Sequence, residues 1–473
     1  MTAQMTDKMD LVLDAVHYAT YCGMISLDKE GHVAPPSFAL FPSPIPRSER
    51  DFVASIQKDV SRLIDRSSRD RDFLHGSLRN AAVSDEFTRE LLKISEKTWE
   101  SSQKKPVLEL LRSDYLLDST DRGRATRARQ IEVNVIASSC SNFSEKLPHL
   151  HRFTLSRRDG KKPFDFRETL PDNHANDGFI DALALSWKAY NSSSSIIITV
   201  MNRNERNIYE LLSIRYGLLK RHGIENRLIC FDDMIEGGPM EAKLHSDDQA
   251  LLIDGQEVAV VFFRSCYGVE HYPTEKHWKA RLLLETSKSI QCPSVAQQLA
   301  GTKKIQQELS KPGILEKFIE DPAAVRRMRA TFCAMYSIDR NAEGDAAAQL
   351  GVQNPEQYVL KPQREGGGHN IYGIDVKTFL EKHWEDDERS AYIMMERVRP
   401  SFADNYFVRQ GQITRLQPTQ LINELGIYGA YVRKGEEELL NEAVGHVLRS
   451  KPFDSDEGGL FAGYGCLDSP LFT

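Results

Sequence analysis

Residues 192–263 constrain the fold more than any other part of the sequence. Four serines precede a short β-branched run over Ile196–Met201, and a polar segment and a helical pattern over Ile208–His222 follow it. Two later runs, at 227–231 and 258–263, have the composition of buried strands. A strand, a helix and a strand in this order favour parallel pairing with a crossover helix. The sequence therefore predicts a small α/β lobe here.

Other patterns flank this lobe on both sides. The N-terminal third is predicted to be mainly helical, because apolar residues recur at three- and four-residue steps over 51–67. Apolar and polar residues alternate over 130–136, which predicts a strand whose polar face carries Glu132 and Asn134. A helical pattern over 295–309 comes next, and strand signals return near the C-terminus.

The length and these changes of pattern predict a mixed α/β protein of several domains. A chain of 473 residues corresponds to two to four domains of about 150 residues each, and one large fold with an inserted lobe also fits this length. We expect a mainly helical region with the polar strand over 1–195, the inserted α/β lobe over 196–301 and a third region over 302–473.

Charge and apolar runs exclude several classes of protein. There are 61 basic and 68 acidic residues, which gives a formal net charge of −7, and the basic residues form no long stripe. We therefore expect no nucleic-acid partner, because binding a phosphate backbone needs a concentrated positive face. No apolar run approaches the ~20 residues of a membrane-spanning helix, and the N-terminus lacks the order of a signal peptide. Seven scattered cysteines without a CxxC pair favour reduced thiols and a cytoplasmic location.

The strongest local signal is YVLKPQREGGGHNIY, residues 358–372. A predicted strand delivers Lys361 at its end, and Glu365 precedes three consecutive glycines, Gly366, Gly367 and Gly368. Such a loop can approach a ligand closely and turn its N–H groups toward phosphate oxygens. It is neither a Walker A loop nor a dinucleotide-binding fingerprint. A flexible hairpin loop with a chance lysine is the alternative.

A second signal is the pair Glu132 and Asn134. Residues i and i+2 of a strand point the same way, so both oxygens could meet one hard cation together with Glu365. The alternative is an ordinary polar strand face, which is the more common meaning of such a pair. Four basic side chains are further candidates, although each taken singly is more often a solvated charge: Arg112, Lys303, Arg449 and Lys451.

Several motifs together resemble one family. IEVNVIASS, RNERNIY, QLAGTKKIQQELS, VLKPQREGGGHNIYG, ELGIYGAYVR and VGHVLRSK occur in the order and near the spacing of eukaryotic-type glutathione synthetases, which are ATP-grasp ligases. The resemblance implies an α/β ATP-grasp fold with a helical N-terminal part, a glycine-rich lid and an inserted substrate-binding lobe. It also implies ATP-driven ligation of γ-glutamylcysteine to glycine through an acylphosphate, two Mg²⁺ ions in each site, and a homodimer.

The resemblance also implies roles for individual residues. The metal ligands would be Glu132, Asn134 and Glu365, and the catalytic residues Arg112, Lys303 and Arg449. The ATP-binding residues would be Glu132, Lys303, Lys361, Gly366, Gly367, Gly368, Asn370, Tyr372, Met395, Glu396, Val398, Glu424, Lys451 and Glu457. The substrate-binding residues would be Arg112, Ser138, Ser139, Glu205, Asn207, Arg264, Tyr267, Arg449, Leu460 and Phe461.

Departures from the family pattern concentrate in the implied substrate pockets. Ala137 replaces a serine, Leu211 a glutamine and Cys266 a glycine. The other departures are Ser141-Asn142 for paired glycines, Leu460-Phe461 for a smaller pair, His369 in the glycine-rich loop and Glu457 for an aspartate. Two alternatives therefore stay open: a related ligase with altered donor or acceptor specificity, and a non-catalytic member that retains nucleotide binding.

Overall fold

The mixed α/β class predicted from the sequence is confirmed. The computed structural model describes residues 9–119, 127–363, 369–409, 418–456, 458–460 and 463–473, and the backbone alone of 2–8 and 412–413. Its helices are α1 (Thr2–Tyr21), α2 (Arg47–Ser68), α3 (Arg71–Leu78), α4 (Ala81–Ser84), α5 (Glu86–Ser102), α6 (Ser141–Asp159), α7 (Ala175–Tyr190), α8 (Ile208–His222), α9 (Phe231–Met234), α10 (Glu275–Thr286), α11 (Val295–Ala300), α12 (Lys303–Ser310), α13 (Pro322–Arg329), α14 (Ala342–Gln353) and α15 (Ile374–Lys382).

The strands fall into three larger sheets and two strand pairs. They are β1 (Ser26–Leu27), β2 (Val33–Ala34), β3 (Phe38–Ala39), β4 (Ser43–Ile45), β5 (Val107–Asp118), β6 (Arg127–Asn134), β7 (Ile196–Met201), β8 (Asn226–Cys230), β9 (Lys243–Leu244), β10 (Leu251–Ile253), β11 (Gln256–Phe263), β12 (Ile290–Cys292), β13 (Met335–Ser337), β14 (Tyr358–Pro362), β15 (Ile371–Tyr372), β16 (Tyr392–Glu396), β17 (Phe402–Asn405), β18 (Phe407–Arg409), β19 (Gln412–Ile413), β20 (Thr419–Lys434), β21 (Glu437–Pro452), β22 (Cys466–Asp468) and β23 (Pro470–Phe472).

The nine-stranded sheet collects charged residues from four strands on one face. Its order is β19-β18-β3-β22-β21-β20-β5-β6, and β17 also pairs with β20. In this register Arg112 is opposite Asn134, Asp114 is opposite Glu132, and Glu424 is opposite Arg449. Directly paired residues project to the same side of a sheet, so the register itself assembles a polar cluster.

Apolar clusters cover both faces of this sheet. On the polar-cluster face, Leu108, Leu110 and Tyr428 pack with residues of α1, α6 and α7. On the other face, Leu111 and Leu425 pack with residues of α2, α5 and α11. The polar cluster therefore continues a face that is elsewhere buried in the core. In the described part of the chain, no helix has both the length and the hydropathy to cross a membrane.

The predicted α/β lobe is a six-stranded sheet in which β8, β7, β11 and β12 are parallel and β10 and β9 are antiparallel. Its crossover helix α8 has the predicted bounds, Ile208–His222, so the local prediction is confirmed. The domain boundaries at 195/196 and 301/302 stay predictions. A separate antiparallel sheet, β13-β16-β14-β15, carries Lys361 on β14 and Met395 on β16.

Two sequence-based expectations about local structure differ from the fold. The N-terminal third contains the twelve-residue strand β5, which was not predicted, because both its faces are buried and it lacks the alternation of a half-exposed strand. The helical pattern over 295–309 is broken at Gly301 and Thr302 into α11 and α12. This break places Lys303 at the first position of α12, facing the polar cluster.

Candidate active-site cleft

The implied site residues come together in one cleft of about 1230 Å³. The cleft lies where the nine-stranded sheet, the α/β lobe and the four-stranded sheet meet. Every implied site residue in the described ranges lines it, apart from Leu460: Arg112, Glu132, Asn134, Ser138, Ser139, Glu205, Asn207, Arg264, Tyr267, Lys303, Lys361, Asn370, Tyr372, Met395, Glu396, Val398, Glu424, Arg449 and Lys451.

Glu132 and Asn134 lie side by side on β6, as the strand periodicity predicts. The Asn134 amide donates to Glu132 Oε1 at 3.0 Å, and Lys303 Nζ lies 3.2 Å from Glu132 Oε2. Burial opposes ionisation of Glu132, but the ammonium groups of Lys303 and Lys361 outweigh it and hold its pKa well below the usual range. The residue is therefore a carboxylate at neutral pH, as a ligand for a hard cation must be.

Asp114 is the centre of the polar cluster. Arg112 donates to both of its oxygens, at 2.6 Å and 2.8 Å, and Arg449 donates to Oδ2 at 2.9 Å. The Asn134 amide also donates to Oδ2, at 2.8 Å. Burial raises the pKa of Asp114 to about 6, against the opposing effect of the two arginines. Asp114 thus holds both guanidinium groups in place on the floor of the cleft.

A second carboxylate, Glu424, also binds Arg449. Carboxylate oxygens of Asp114, Glu132 and Glu424 lie within 4.8 Å of one another. With the neighbouring Asn134 amide, this oxygen-rich donor set has the chemistry that Mg²⁺ prefers. The residues present therefore fit the metal that the family resemblance implies.

An apolar pocket occupies the four-stranded-sheet end of the cleft. Cys333, Val359 and Met395 pack there with the half-buried Tyr372 and Val398. Apolar walls with a few polar groups nearby suit a flat heterocycle with polar edges.

Basic groups stand beside this apolar pocket. Lys361 Nζ donates to the Ile131 carbonyl at 2.8 Å, and burial lowers the pKa of Lys361, although Glu132 acts in the opposite direction. Lys451 Nζ donates to the Asp456 carbonyl at 2.6 Å. We call this half of the cleft, with Lys303, the nucleotide end.

The opposite half of the cleft is built from the loop after β6 and from the α/β lobe. We call it the donor end, because the residues implied to bind the dipeptide, the acyl donor, lie there. Arg264 donates to the Ser138 carbonyl at 2.7 Å. Arg112 and the Tyr428 hydroxyl donate to the Ser139 carbonyl at 3.3 Å and 2.6 Å. The loop backbone is thus fixed by groups from three other segments.

Three residues at the donor end, two of them departures from the family pattern, have unusual backbone conformations. Ala137, Cys140 and Cys266 have φ values of 53°, 78° and 71°, in the left-handed region that disfavours side chains. Ala137 lines the cleft, whereas Cys266 is completely buried. Leu211 is also buried and is not among the cleft-lining residues, so its replacement of a glutamine alters the core behind the site.

Some implied residues lie outside the described part of the chain. These are Glu365, Gly366, Gly367, Gly368, Glu457 and Phe461. Leu460 is described: it is half-buried against the apolar cluster of α6 and α7 and does not line the cleft. Gly458 and Gly459, just before it, do line the cleft.

Sequence reasoning missed Asp114, Tyr428 and Gly426. A Cβ built on Gly426 would lie 2.6 Å from Asp114 Oδ1 and 2.7 Å from the Arg112 Cδ, so only glycine leaves room for this pair. The i, i+2 spacing of Arg112 and Asp114 could have indicated them, had β5 been recognised as a strand.

Comparisons with known proteins agree with this geometry. The family described as eukaryotic glutathione synthase, ATP-binding domain, matches residues 6–472. The chain is 38% identical to the glutathione synthetase of Xenopus laevis over 92% of its length and 90% of that protein, and 38% identical to the human one over 92% and 89%. The chloroplastic glutathione synthetase of Arabidopsis thaliana is 36% identical, covering 97% of this chain and 84% of that protein.

A solved structure shares the fold. A glutathione synthetase-like effector from Globodera pallida, in its apo form, superimposes with a TM-score of 0.78 over 98% of this chain and 97% of the other, at 22% identity. The architecture is therefore of the ATP-grasp type that the sequence motifs predict.

Proposed function

The chain belongs to the eukaryotic glutathione synthase family and is an ATP-dependent ligase, and from this premise we propose that it joins γ-glutamylcysteine to glycine. The observation that carries the proposal is the match over nearly the whole chain, together with a cleft that gathers the implied catalytic side chains. ADP, phosphate and glutathione would be the products.

The chemistry needs phosphoryl transfer before the amide forms. A carboxylate has no leaving group, so the dipeptide carboxylate would first take the γ-phosphoryl group of ATP. The glycine amine would then attack the acylphosphate and create an anionic tetrahedral centre. Arg112, Arg449 and Lys303 would stabilise this charge, because fixed cations in a cleft are effective where negative charge develops.

At the nucleotide end, the adenine ring would lie in the apolar pocket against the backbone of Met395, Glu396 and Val398. Lys303, Lys361 and Lys451 would neutralise phosphate charge. The remaining nucleotide contacts would come from Asn370, Tyr372, Glu424, Glu457 and the loop Gly366, Gly367 and Gly368.

We propose that magnesium is held by Glu132, Asn134 and Glu365, with two ions in each site. When bound, Mg²⁺ neutralises phosphate oxygens and holds them in line for transfer. The low pKa of Glu132 supports this assignment, since the ligand has to be deprotonated.

At the donor end, Arg264 would bind a dipeptide carboxylate, with Ser138, Ser139, Glu205, Asn207 and Tyr267 as further contacts. Burial raises the pKa of the Tyr267 phenol, so the phenol is protonated and can donate a hydrogen bond. Gly458 and Gly459, which line the cleft, would shape the acceptor site with Phe461, whereas Leu460 packs against the α6 and α7 cluster and would act only indirectly.

We also propose a homodimer and a cytoplasmic location. Tyr216 and Leu219 on α8 are both 56% exposed, which offers an apolar surface for a second copy. Light scattering should give about twice the 53.7 kDa of one chain; a monomer would contradict the dimer. The cysteines are odd in number and dispersed along the sequence, which supports a reducing compartment. Cell fractionation would test the proposed location.

Phosphate release from ATP tests the proposed reaction. We expect release only when γ-glutamylcysteine and glycine are both present, with the tripeptide detected by mass spectrometry. The bulky pair Leu460-Phe461 favours altered acceptor use as the second candidate, so β-alanine and serine should be compared with glycine. Phosphate release that depends on neither the amine nor the dipeptide would refute ligase activity.

A further inference from the structure

The carboxylate of Glu210, on α8, accepts hydrogen bonds from five donors in the interior behind the donor end. Oε1 accepts from the backbone N–H of Ser141 at 2.9 Å and from its hydroxyl at 2.8 Å. Oε2 accepts from the Cys140 N–H at 3.0 Å, from Arg264 at 3.3 Å and from the Asn207 amide. Glu210 has 0% exposure and does not line the cleft.

These donors belong to the two segments that form the donor end. Arg264 and Asn207 come from the α/β lobe, and Cys140 and Ser141 begin α6, directly after the loop that contains Ser138. Arg264 also donates to the Ser138 carbonyl, at 2.7 Å. Glu210 therefore closes a ring of contacts that fixes the loop relative to Arg264.

The backbone at this point needs such support. Cys140 has a φ of 78°, which is disfavoured for a residue with a side chain, and its surroundings have to hold it there. A carboxylate at the N-terminus of α6 also accepts N–H groups that have no partner within the helix and interacts favourably with the helix dipole.

The same contact directs Arg264. Two of its nitrogens are bound, to Glu210 and to Ser138, whereas its Nε is buried without a partner in the described residues. Arg264 lines the cleft, and its guanidinium has five N–H groups, so donors remain for a ligand after these two contacts. An arginine left without Glu210 would lose both its orientation and its counter-charge.

We propose that Glu210 is the positioning residue of the dipeptide site: it holds Arg264, Asn207 and the start of α6 as one unit and does not touch the substrate. This inference rests on the proposed ligation of γ-glutamylcysteine. The nucleotide end is built from other segments, so Glu210 should affect dipeptide binding and leave ATP binding unchanged.

Glu210→Gln is the first test. The amide has almost the same shape, but its NH₂ group must face donors whichever way it is turned, because both carboxylate oxygens accept from donors. We expect the KM for γ-glutamylcysteine to rise at least tenfold and the KM for ATP to change less than twofold. Glu210→Asp keeps the charge and should recover part of the loss.

Asp65→Asn is the matched control. Asp65 is also buried and bound by an arginine, Arg433, at 3.0 Å, but it lies away from the cleft. The Asp65→Asn substitution should lower the melting temperature without changing the KM for γ-glutamylcysteine or for ATP. If Glu210→Gln behaves like this control, Glu210 is only structural and the proposal is wrong.

A milder variant keeps the test decisive if Glu210→Gln does not fold. Ser141→Ala removes one of the five hydrogen bonds and should raise the dipeptide KM two- to threefold at constant ATP KM. An unchanged dipeptide KM in this folded variant would overturn the proposal. Absence of ligation in the wild-type protein would instead refute the proposed function itself.

Discussion

The two ends of the cleft differ in how buried carboxylates support them. Behind the donor end, Glu210 is paired with Arg264, and three non-glycine residues in left-handed conformations shape the backbone. Behind the nucleotide end, Asp468 on β22 accepts from the hydroxyls of Ser43 and Ser450 at 2.6 Å and 2.9 Å. In the described residues Asp468 forms no ion pair, although Ser450 lies between Arg449 and Lys451 on β21.

Because of this difference, the two ends of the cleft should respond to different kinds of substitution. The donor end is held by backbone contacts around one ion pair, so it should respond to changes of shape. The nucleotide end takes its cations from α12, β14 and β21 and balances them with Asp114, Glu132 and Glu424, so it should respond to changes of charge. Substitutions at the two ends should therefore differ in effect, and the largest effect is expected at Glu132.

Glu132→Gln should lower turnover at least about 10²-fold, which is the effect of removing one electrostatic stabiliser. The substitution keeps the shape of the side chain but removes the charge that Lys303 and the proposed Mg²⁺ require. Steady-state kinetics at saturating Mg²⁺ would measure the loss, and the melting temperature should change little.

Glu316→Gln is a suitable control, because Glu316 is also paired with a cation, Arg329 at 2.7 Å, but lies outside the cleft. It should leave turnover unchanged. Near wild-type turnover of Glu132→Gln would contradict both its assignment as a metal ligand and the charge-based account of this end.

The sequence predicted the nucleotide end better than the donor end. Lys303, Lys361 and the Glu132–Asn134 pair lie in short local motifs, and local periodicity placed Glu132 and Asn134 on one strand face. The partner that organises them, Asp114, belongs to β5, which is buried on both faces and lacks an alternating pattern. Sheet register joins β5 to β6 and β20, and register depends on contacts between distant segments.

At the donor end the sequence located the departures but not their consequences. Leu211 was expected to alter a ligand contact, yet it is buried beneath the site. The positive φ values of Ala137 and Cys266 could not be predicted, because such conformations are imposed by the surrounding tertiary structure.

Asp468→Asn should alter the pH dependence of stability. Burial raises the pKa of Asp468 to about 7 in the folded protein, whereas the pKa of an aspartate in the unfolded chain is about 3.9. The folded protein therefore binds this proton more tightly. Its stabilising contribution is complete below about pH 4, is lost as the pH rises toward 7, and is absent above that.

We expect the wild-type protein to lose about 3 kcal/mol more unfolding free energy between pH 4.5 and pH 8 than Asp468→Asn does. Urea denaturation across this range would measure the difference. Identical pH profiles would mean that the Ser43 and Ser450 hydroxyls stabilise the ionised carboxylate fully, and the contrast with the ion-paired Glu210 would then disappear.

The smallest expected effect concerns Ala137, at the donor end. Ala137 lines the cleft where the family has serine, and its neighbour Ser138 is held by Arg264. Ala137→Ser would add a hydroxyl to a site that is already shaped, and one net hydrogen bond of about 0.5–1 kcal/mol should lower the dipeptide KM about threefold.

Ala137→Gly separates this effect from backbone strain: glycine suits the φ of 53° but brings no hydroxyl, so it should not lower the KM. If glycine lowers the dipeptide KM as much as serine does, the left-handed backbone rather than the missing hydroxyl limits binding, and the donor end is less rigid than its contacts indicate.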